Sequence, residues 1–221
     1  MKLFTSILSI GLLVAGIARA ERQQETQKHL YKVTLVNLTK GQPFTPPVVA
    51  VHAPGHSVVH LAHEASPGLA ALAKDGATDL FQEELEYDNK VVRSVVGDGF
   101  TMPGLTLDVT VEANNPRYKL TLVTMLARTN DAIVVAKDLS LKLRPGQKAV
   151  YLANTYDAGV EDNTELCAHI PAPPCNNPNV DAGIGEGFIR PHEGLLQVGD
   201  LLPERDAFAN NTAKVIVERI Q

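Results

Sequence analysis

The feature that most constrains the fold is a two-residue alternation of apolar and polar side chains that recurs in short segments. The segment YKVTLVNL at 31–38 places Val33 and Leu35 on one face and ends before Gly41 and Pro43. Successive side chains of a strand point to opposite faces, so this pattern predicts a β-strand. Further strands are predicted at 47–52, 90–96, 105–112, 118–127, 139–143, 148–153 and 213–220.

Turn-forming residues separate these segments, with Gly-Asp-Gly at 97–99, Asn-Asn-Pro at 114–116 and Arg-Pro-Gly at 144–146. Many short strands joined by regular turns predict an all-β fold, an antiparallel β-sandwich with long end loops. One segment breaks the alternation: Ser66 can cap a helix that has Pro67 in its first turn and ends at Gly76. We expect a single short helix there, covering an edge or an end of the sandwich.

The first 20 residues have the features of a secretory signal. Lys2 precedes an apolar stretch at 3–18, and the small residues Ala18 and Ala20 predict cleavage after Ala20. No later segment has the apolar length of a membrane helix, so we expect a secreted, periplasmic or cell-surface protein without a transmembrane segment in the mature chain. Residues 21–29 are polar and are predicted to be a mobile leader, which leaves 30–221 as one domain.

The charge balance narrows the choice of partner. Removal of residues 1–20 would leave 18 basic and 25 acidic side chains, a formal net charge of −7. A negative surface disfavours nucleic acid and anionic lipid, and it favours a cation.

The chain has two cysteines, Cys167 and Cys175, on either side of a proline-rich loop. In an oxidising compartment this pair predicts a disulfide, which would stabilise the fold by about 2.6 kcal/mol for a ring of about nine residues. A catalytic thiol and a metal ligand are the less favoured readings.

The segment TYDAGVEDNTEL at 155–166 is unusually acidic. No Lys or Arg is nearer to it than Lys148 upstream and Arg190 downstream, and its four carboxylates belong to Asp157, Glu161, Asp162 and Glu165. Counting strand directions from 118–127 onward places Asp131 and Asp157 at the same end of the sandwich. If 132–136 instead forms an additional strand, the direction reverses and the two acids separate.

Two converging carboxylates need some form of neutralisation. The options are a raised pKa, separation through solvent, or a bound hard cation. Calcium suits an all-oxygen set of Asp131, Asp157 and Glu161, completed by backbone carbonyls and water. An EF-hand is excluded, because Asp162 and Ala168 occupy the positions that require Gly and the bidentate Glu. A solvated acidic loop without an ion is the alternative.

Four segments carry a further signal: YKVTLVNLTKGQPFTPPVVAVH, ASPGLAALAKDG, YDAGVED and AKVIVERI. Together they resemble the spondin domain, found in F-spondins and in small bacterial secreted proteins, and the resemblance covers nearly all of 30–220. It implies a β-sandwich resembling calcium-and-lipid-binding sandwiches, with a calcium ion held between loops. By position it assigns the calcium ligands to Asp131 in RTNDA and to Asp157 and Glu161, with Asp162 as an alternative to Glu161.

The chain departs from the spondin pattern in two informative places. Glu161 stands where animal members have Asp, so an additional methylene must be accommodated, and Tyr156 replaces a Trp. The resemblance therefore implies a fold and an ion site. The function that follows is a secreted, non-catalytic calcium-binding module that mediates extracellular adhesion or ligand binding to a protein, glycan or matrix partner.

A secreted metal-dependent hydrolase is the rival hypothesis. It would use the histidines of VHAPGHSVVHLAHE, or the carboxylate pair Asp181 and Glu186 in the glycine-rich segment that follows the disulfide loop. The histidines are His52, His56, His60 and His63. The interruption by Pro54-Gly55 and the lack of a Glu beside the first histidine disfavour a metalloprotease helix.

Overall fold

The computed structural model describes residues 28–221. The predicted signal peptide at 1–20 and most of the predicted leader lie outside the described residues. His29, the last residue assigned to the leader, begins the first strand and is buried. Within 28–221, no helix combines the length and the apolar character needed to cross a membrane.

The described residues form nine strands, and every pairing between these strands is antiparallel. They are β1 (His29–Asn37), β2 (Val48–His52), β3 (Val91–Val96), β4 (Thr106–Ala113), β5 (Lys119–Met125), β6 (Ala132–Ser140), β7 (Lys148–Asp157), β8 (Arg190–Pro191) and β9 (Ala213–Arg219). The predicted all-β class is confirmed.

The strand order is β3-β2-β5-β6-β7-β9-β1-β4, with β8 added to β7. Strand β7 belongs to both layers, since its residues 148–153 pair with β9 and its residues 154–157 pair with β6. The sheet therefore folds over at β7 into an antiparallel sandwich. The sharing also makes β7 the strand whose end is fixed by contacts from both layers.

The interior of the sandwich explains the alternation seen in the sequence. In β1 the side chains of Tyr31, Val33 and Leu35 are buried, and the intervening residues are partly exposed. Strand β2 departs from this pattern because all five of its residues are buried. A strand covered on both faces has no solvent side, so it loses the alternation.

The cover over β2 consists of two consecutive helices, α1 (Pro67–Asp75) and α2 (Asp79–Tyr87). Helix α1 matches the prediction: the Ser66 hydroxyl accepts a hydrogen bond from the Leu69 amide at 3.2 Å, and Gly76 ends the helix in the left-handed conformation. Helix α2 was not predicted, and it adds a second helix to this cover. Its only buried residues are Phe81 and Leu85, one turn apart, which is too short an apolar stripe to recognise in sequence.

The helices create a second apolar cluster on the outer face of the β2–β5–β6 layer. Leu69, Leu72, Phe81 and Leu85 pack there, and the sheet residues facing them include Val48, Val123, Met125, Ile133 and Val135. A further short helix, α3 (Pro203–Asp206), lies in the long segment between β8 and β9.

Candidate functional site

The backbone itself brings Asp131 and Asp157 together at one end of the sandwich. Asp131 immediately precedes β6, Asp157 is the last residue of β7, and Ala132 is paired with Asp157 in the β6–β7 ladder. The Ala158 amide donates a hydrogen bond to the Asp131 carbonyl at 3.3 Å. The two acids therefore lie on adjacent strand ends.

The strand boundaries around Asp131 differ from those in the prediction. Residues 132–136 form a strand, but they are the first part of the strand that runs to Ser140, so they add no extra reversal of direction. The predicted strand at 139–143 is displaced, since residues 141–143 lie beyond the end of β6. The predicted alternation of strand directions is therefore unchanged, because residues 132–136 and residues 139–140 belong to one strand.

The carboxyl group of Asp131 is fully buried, and only one of its two oxygens accepts hydrogen bonds. Its Oδ2 accepts hydrogen bonds from the amides of Val160 at 2.8 Å and Glu161 at 3.2 Å. Its Oδ1 is buried without a hydrogen-bond partner among the described residues. Burial raises the pKa of Asp131 to about 8, and the neighbouring charge of Asp157 adds to the rise. Metal-free, this carboxyl group therefore holds a proton near neutral pH.

Asp157 is equally buried, but a basic side chain neutralises its charge. Its Oδ1 accepts the Gly159 amide at 2.8 Å, and its Oδ2 accepts the side-chain amide of Asn163 at 2.7 Å. The guanidinium Nη2 of Arg190 lies 3.0 Å from the same Oδ2. Arg190 is positioned by the ladder, since β8 pairs it directly with Asp157. The nearest downstream base in the sequence is thus the counter-charge of the acidic loop.

Sequence reasoning did not assign Arg190 this role, although one signal was available. Arg190 is the only Lys or Arg between residues 149 and 204. A buried carboxylate in that long segment has few basic partners to choose from, and Arg190 is the most local. The pairing depends on a two-residue strand, β8, whose sequence Arg-Pro carries no alternation to reveal it.

The other two predicted ligands differ from each other in burial. Glu161 is 2% exposed, its Oε1 accepts the Ala182 amide at 3.3 Å, and burial raises its pKa to about 7. Its charge also acts on Asp131. Asp162 is exposed, and its Oδ1 accepts the Gly185 amide at 3.2 Å. Of the two alternatives, Glu161 is the one that lies near the pair of buried aspartates.

The fourth acid of the loop, Glu165, has a structural role instead. It is 5% exposed, and its carboxylate accepts the backbone amides of Leu196 and Val198. Its own amide donates to the Asn130 side chain at 3.0 Å. Glu165 thus ties the acidic loop both to the residue before Asp131 and to the long segment that precedes β9.

The carboxylates at the loop end form a pair rather than a larger cluster. Among residues 28–221, no group of three or more His, Cys, Asp and Glu side chains is close enough to hold a metal ion by side chains alone. Any cation here would need backbone carbonyls and water in addition to Asp131 and Asp157.

The glycine-rich segment at 181–188 packs against the acidic loop. The Asp162 amide donates to the Ala182 carbonyl at 2.5 Å, and the Gly187 amide donates to the Gly159 carbonyl at 2.8 Å. Gly159 has a φ of +69°, and a Cβ there would overlap the backbone of Phe188. Glycine at this position permits the close approach of the two loops.

The carboxylates of the rival hydrolase hypothesis are each engaged in an ion pair. Asp181 Oδ1 lies 2.5 Å from Lys74 Nζ, and Glu186 Oε1 lies 2.5 Å from Arg190 Nη2. The two acids are thus held by different basic side chains, one on α1 and one on β8.

The histidines of the rival hypothesis fall into two edge-to-face pairs, His52 with His56 at 5.9 Å and His60 with His63 at 6.0 Å between ring centres. His52 is fully buried, its Nε2 lies 2.9 Å from Thr121 Oγ1, and burial lowers its pKa. His56 Nε2 lies 2.8 Å from a carboxylate oxygen of Asp88. Within 28–221, no three of these rings lie close enough together to hold a metal ion.

The predicted disulfide between Cys167 and Cys175 is present, with 4.8 Å between the Cα atoms. Comparison with protein-family models and with characterised proteins gives no match to the chain.

Proposed function

We propose that the chain is a secreted, non-catalytic β-sandwich module of the spondin type, which binds calcium between the loops that carry Asp131 and Asp157. The ordered loop end would then bind an extracellular protein, glycan or matrix polymer and so mediate adhesion or ligand binding. The segments that resemble the spondin domain fall on β1 and β2, on α1, on the end of β7 and on β9.

The observation that carries the proposal is the unpartnered Oδ1 of Asp131. An ionised carboxylate oxygen that is buried without a hydrogen bond costs several kcal/mol unless it is protonated or bound to a cation. The backbone places Asp131 beside a second buried aspartate, Asp157. Calcium would let both groups be ionised at neutral pH.

The donor set is chemically suitable for calcium. Carboxylate and backbone oxygens are the ligands that calcium prefers, and it accepts the irregular geometries that loops offer. Asp157 Oδ2 is occupied by two donors, but Oδ1 accepts only the Gly159 amide. A carboxylate oxygen has two lone pairs, so Oδ1 retains capacity for a metal. Backbone carbonyls and water would complete the shell, since no third acidic side chain among residues 28–221 is close enough to add a ligand.

The functional consequence would be order at the loop end. Calcium would join the residues before β6 to the loop after β7, and the glycine-rich segment that packs on this loop would be held with them. Extracellular calcium modules often have dissociation constants of ~10⁻⁴ to 10⁻³ M. A hundredfold excess of calcium over the dissociation constant would stabilise the fold by about 2.7 kcal/mol.

The experiment is elemental analysis of the purified mature chain followed by calorimetric titration with calcium. Asp131→Asn is the informative variant, because it removes the proposed ligand and leaves the ion pair of Asp157 intact. Asp98→Asn is its matched control, since Asp98 is an exposed acid in the Gly97–Gly99 turn. We expect binding by the wild type and the control and none by Asp131→Asn. Equal binding by all three would contradict the proposal.

A further inference from the structure

Arg190 makes three ion pairs at the loop end, and only one of them is with the candidate calcium site. Besides Asp157, its guanidinium lies 2.5 Å from Glu186 Oε1 and 3.5 Å from Glu193 Oε1. The Arg190 side chain is 25% exposed, as against 1% for that of Asp157. The arginine thus stands at the boundary between a buried acid and two more exposed ones.

The guanidinium of Arg190 does not use all of its hydrogen-bond donors in its present position. Its Nε is buried and lacks an acceptor among the described residues. Glu186 accepts a hydrogen bond from the same Nη2 that contacts Asp157, and Glu193 forms an ion pair with Nη1, so loss of the contact with Asp157 would leave the guanidinium with two carboxylate partners. The charges that act on Asp131 come from Asp157 and Glu161, both acidic. Arg190 therefore neutralises the charge of Asp157 and leaves the carboxyl group of Asp131 without a counter-charge.

We propose that Arg190 is a built-in counter-ion that competes with calcium for Asp157 and thereby sets the calcium affinity of the site. This inference rests on the proposed function. In the metal-free protein Arg190 supplies the positive charge that Asp157 requires. When calcium binds between Asp131 and Asp157, the guanidinium and the ion repel each other, and the arginine shifts toward Glu186 and Glu193.

Competition of this kind links the ion to a wider surface. Arg190 lies on β8, which is held to β7 through the pairs Tyr156–Pro191 and Asp157–Arg190. The segment that leads into β8 contains Glu186 and packs on the acidic loop through the Gly187 amide. Movement of the guanidinium would therefore be transmitted to residues 186–193.

The test compares calcium affinities in the full mature chain by calorimetry. Arg190→Gln removes the competing charge and should lower the calcium dissociation constant by roughly tenfold or more. Arg190→Lys keeps the charge and should stay within about threefold of the wild type. Lys148→Gln is the matched control: it also removes one positive charge, but it lies at the opposite end of β7, about 30 Å away, and should leave the affinity unchanged.

The outcomes separate the inference from the proposed function. Binding by the wild type with no gain in Arg190→Gln overturns the inference alone. Binding by Arg190→Gln without binding by the wild type supports the inference and refutes the proposed function, since the arginine then replaces the ion. Failure of both proteins to bind overturns both.

A measurement on the wild type does not depend on the folding of any variant. The Nε–H group of Arg190 gives a nitrogen-15 resonance that can be assigned by its loss in Arg190→Lys. Displacement of the guanidinium predicts that this resonance shifts during a calcium titration, with the same midpoint as the calorimetric binding. A resonance that stays fixed while calcium binds would overturn the inference.

Discussion

Replacement of Asp131 by Asn tests whether a buried, half-satisfied carboxyl group governs the pH dependence of stability. The folded protein holds the pKa of Asp131 at about 8, compared with an ordinary value of 3.8. Between these two pH values the native state binds a proton that the unfolded chain has released. The free energy of unfolding of the metal-free protein should therefore fall as the pH rises from about 4 to about 8.

The size of the effect follows from the same two values. Each pH unit between them corresponds to about 1.4 kcal/mol, so release of this proton by the unfolded chain lowers the free energy of unfolding of the metal-free protein by about 5 kcal/mol between pH 4 and pH 8. The whole free energy of unfolding of a typical domain is only about 5–15 kcal/mol. Asn has nearly the same shape, its carbonyl oxygen can accept the amides of Val160 and Glu161, and it does not titrate. Asp131→Asn should therefore be more stable than the wild type at pH 8 and of similar stability at pH 4.

The assay is urea unfolding at pH 4.5, 6 and 8 in the presence of a calcium chelator, followed by circular dichroism. Asp98→Asn again serves as the control, since it removes a surface carboxylate and should follow the wild-type pH dependence. Calcium at pH 8, in hundredfold excess over its dissociation constant, should restore about 2.7 kcal/mol in the wild type and in the control, and none in Asp131→Asn. A metal-free wild type whose stability is constant over this pH range, or a variant that declines in parallel with it, would refute the reasoning.

Three further variants test other parts of the loop end. In chelator at pH 8, Arg190→Gln should lower the free energy of unfolding by roughly 3 kcal/mol, because a buried carboxylate loses its counter-charge; an unchanged urea midpoint would contradict this. Gly159→Ala should lower the free energy of unfolding by roughly 3 kcal/mol, because the new Cβ overlaps the opposite loop and the positive φ is unfavourable. Gly55 has a φ of +78° but open space around it, so Gly55→Ala should lower this free energy by only about 1–2 kcal/mol in the same titration. Removal of the disulfide in the Cys167→Ser/Cys175→Ser double variant should cost about 2.6 kcal/mol, and thermal unfolding with and without reductant distinguishes this loss from an effect of the serines.

The strands were predictable wherever one face of the sheet meets solvent. Strand β1 alternates strictly, and its predicted and observed bounds differ by two residues or fewer at each end. Strand β6 was misplaced because its first five residues are all buried, so AIVVA has no alternation to set its limits. Helix α1 was recognisable from Ser66, Pro67 and Gly76. Helix α2 lacks a side-chain cap, and it is fixed by packing of Phe81 and Leu85 in the second core.

The candidate site was likewise predictable only in part from the sequence. Its carboxylates could be named from the sequence, because charge density and strand direction are properties of the chain itself. The environments of these carboxylates could not be predicted, because they depend on which loop covers which. Asp131 and Glu161 are buried, Asp162 is exposed, and Glu165 accepts hydrogen bonds from backbone amides. The same holds for Arg190, whose guanidinium reaches Asp157 only because β8 adds to β7.

The sequence alone determined the all-β class of fold and the disulfide, which follow from local periodicity and from the cysteine count, each encoded over a few residues. It placed the two aspartates at one end of the sandwich only on condition that residues 132–136 add no further strand. The tertiary structure decided which acid is neutralised by arginine and which keeps a free buried oxygen. Electrostatic pairing depends on distances of a few ångströms between segments that are far apart in the chain, and only the packed loops fix those distances.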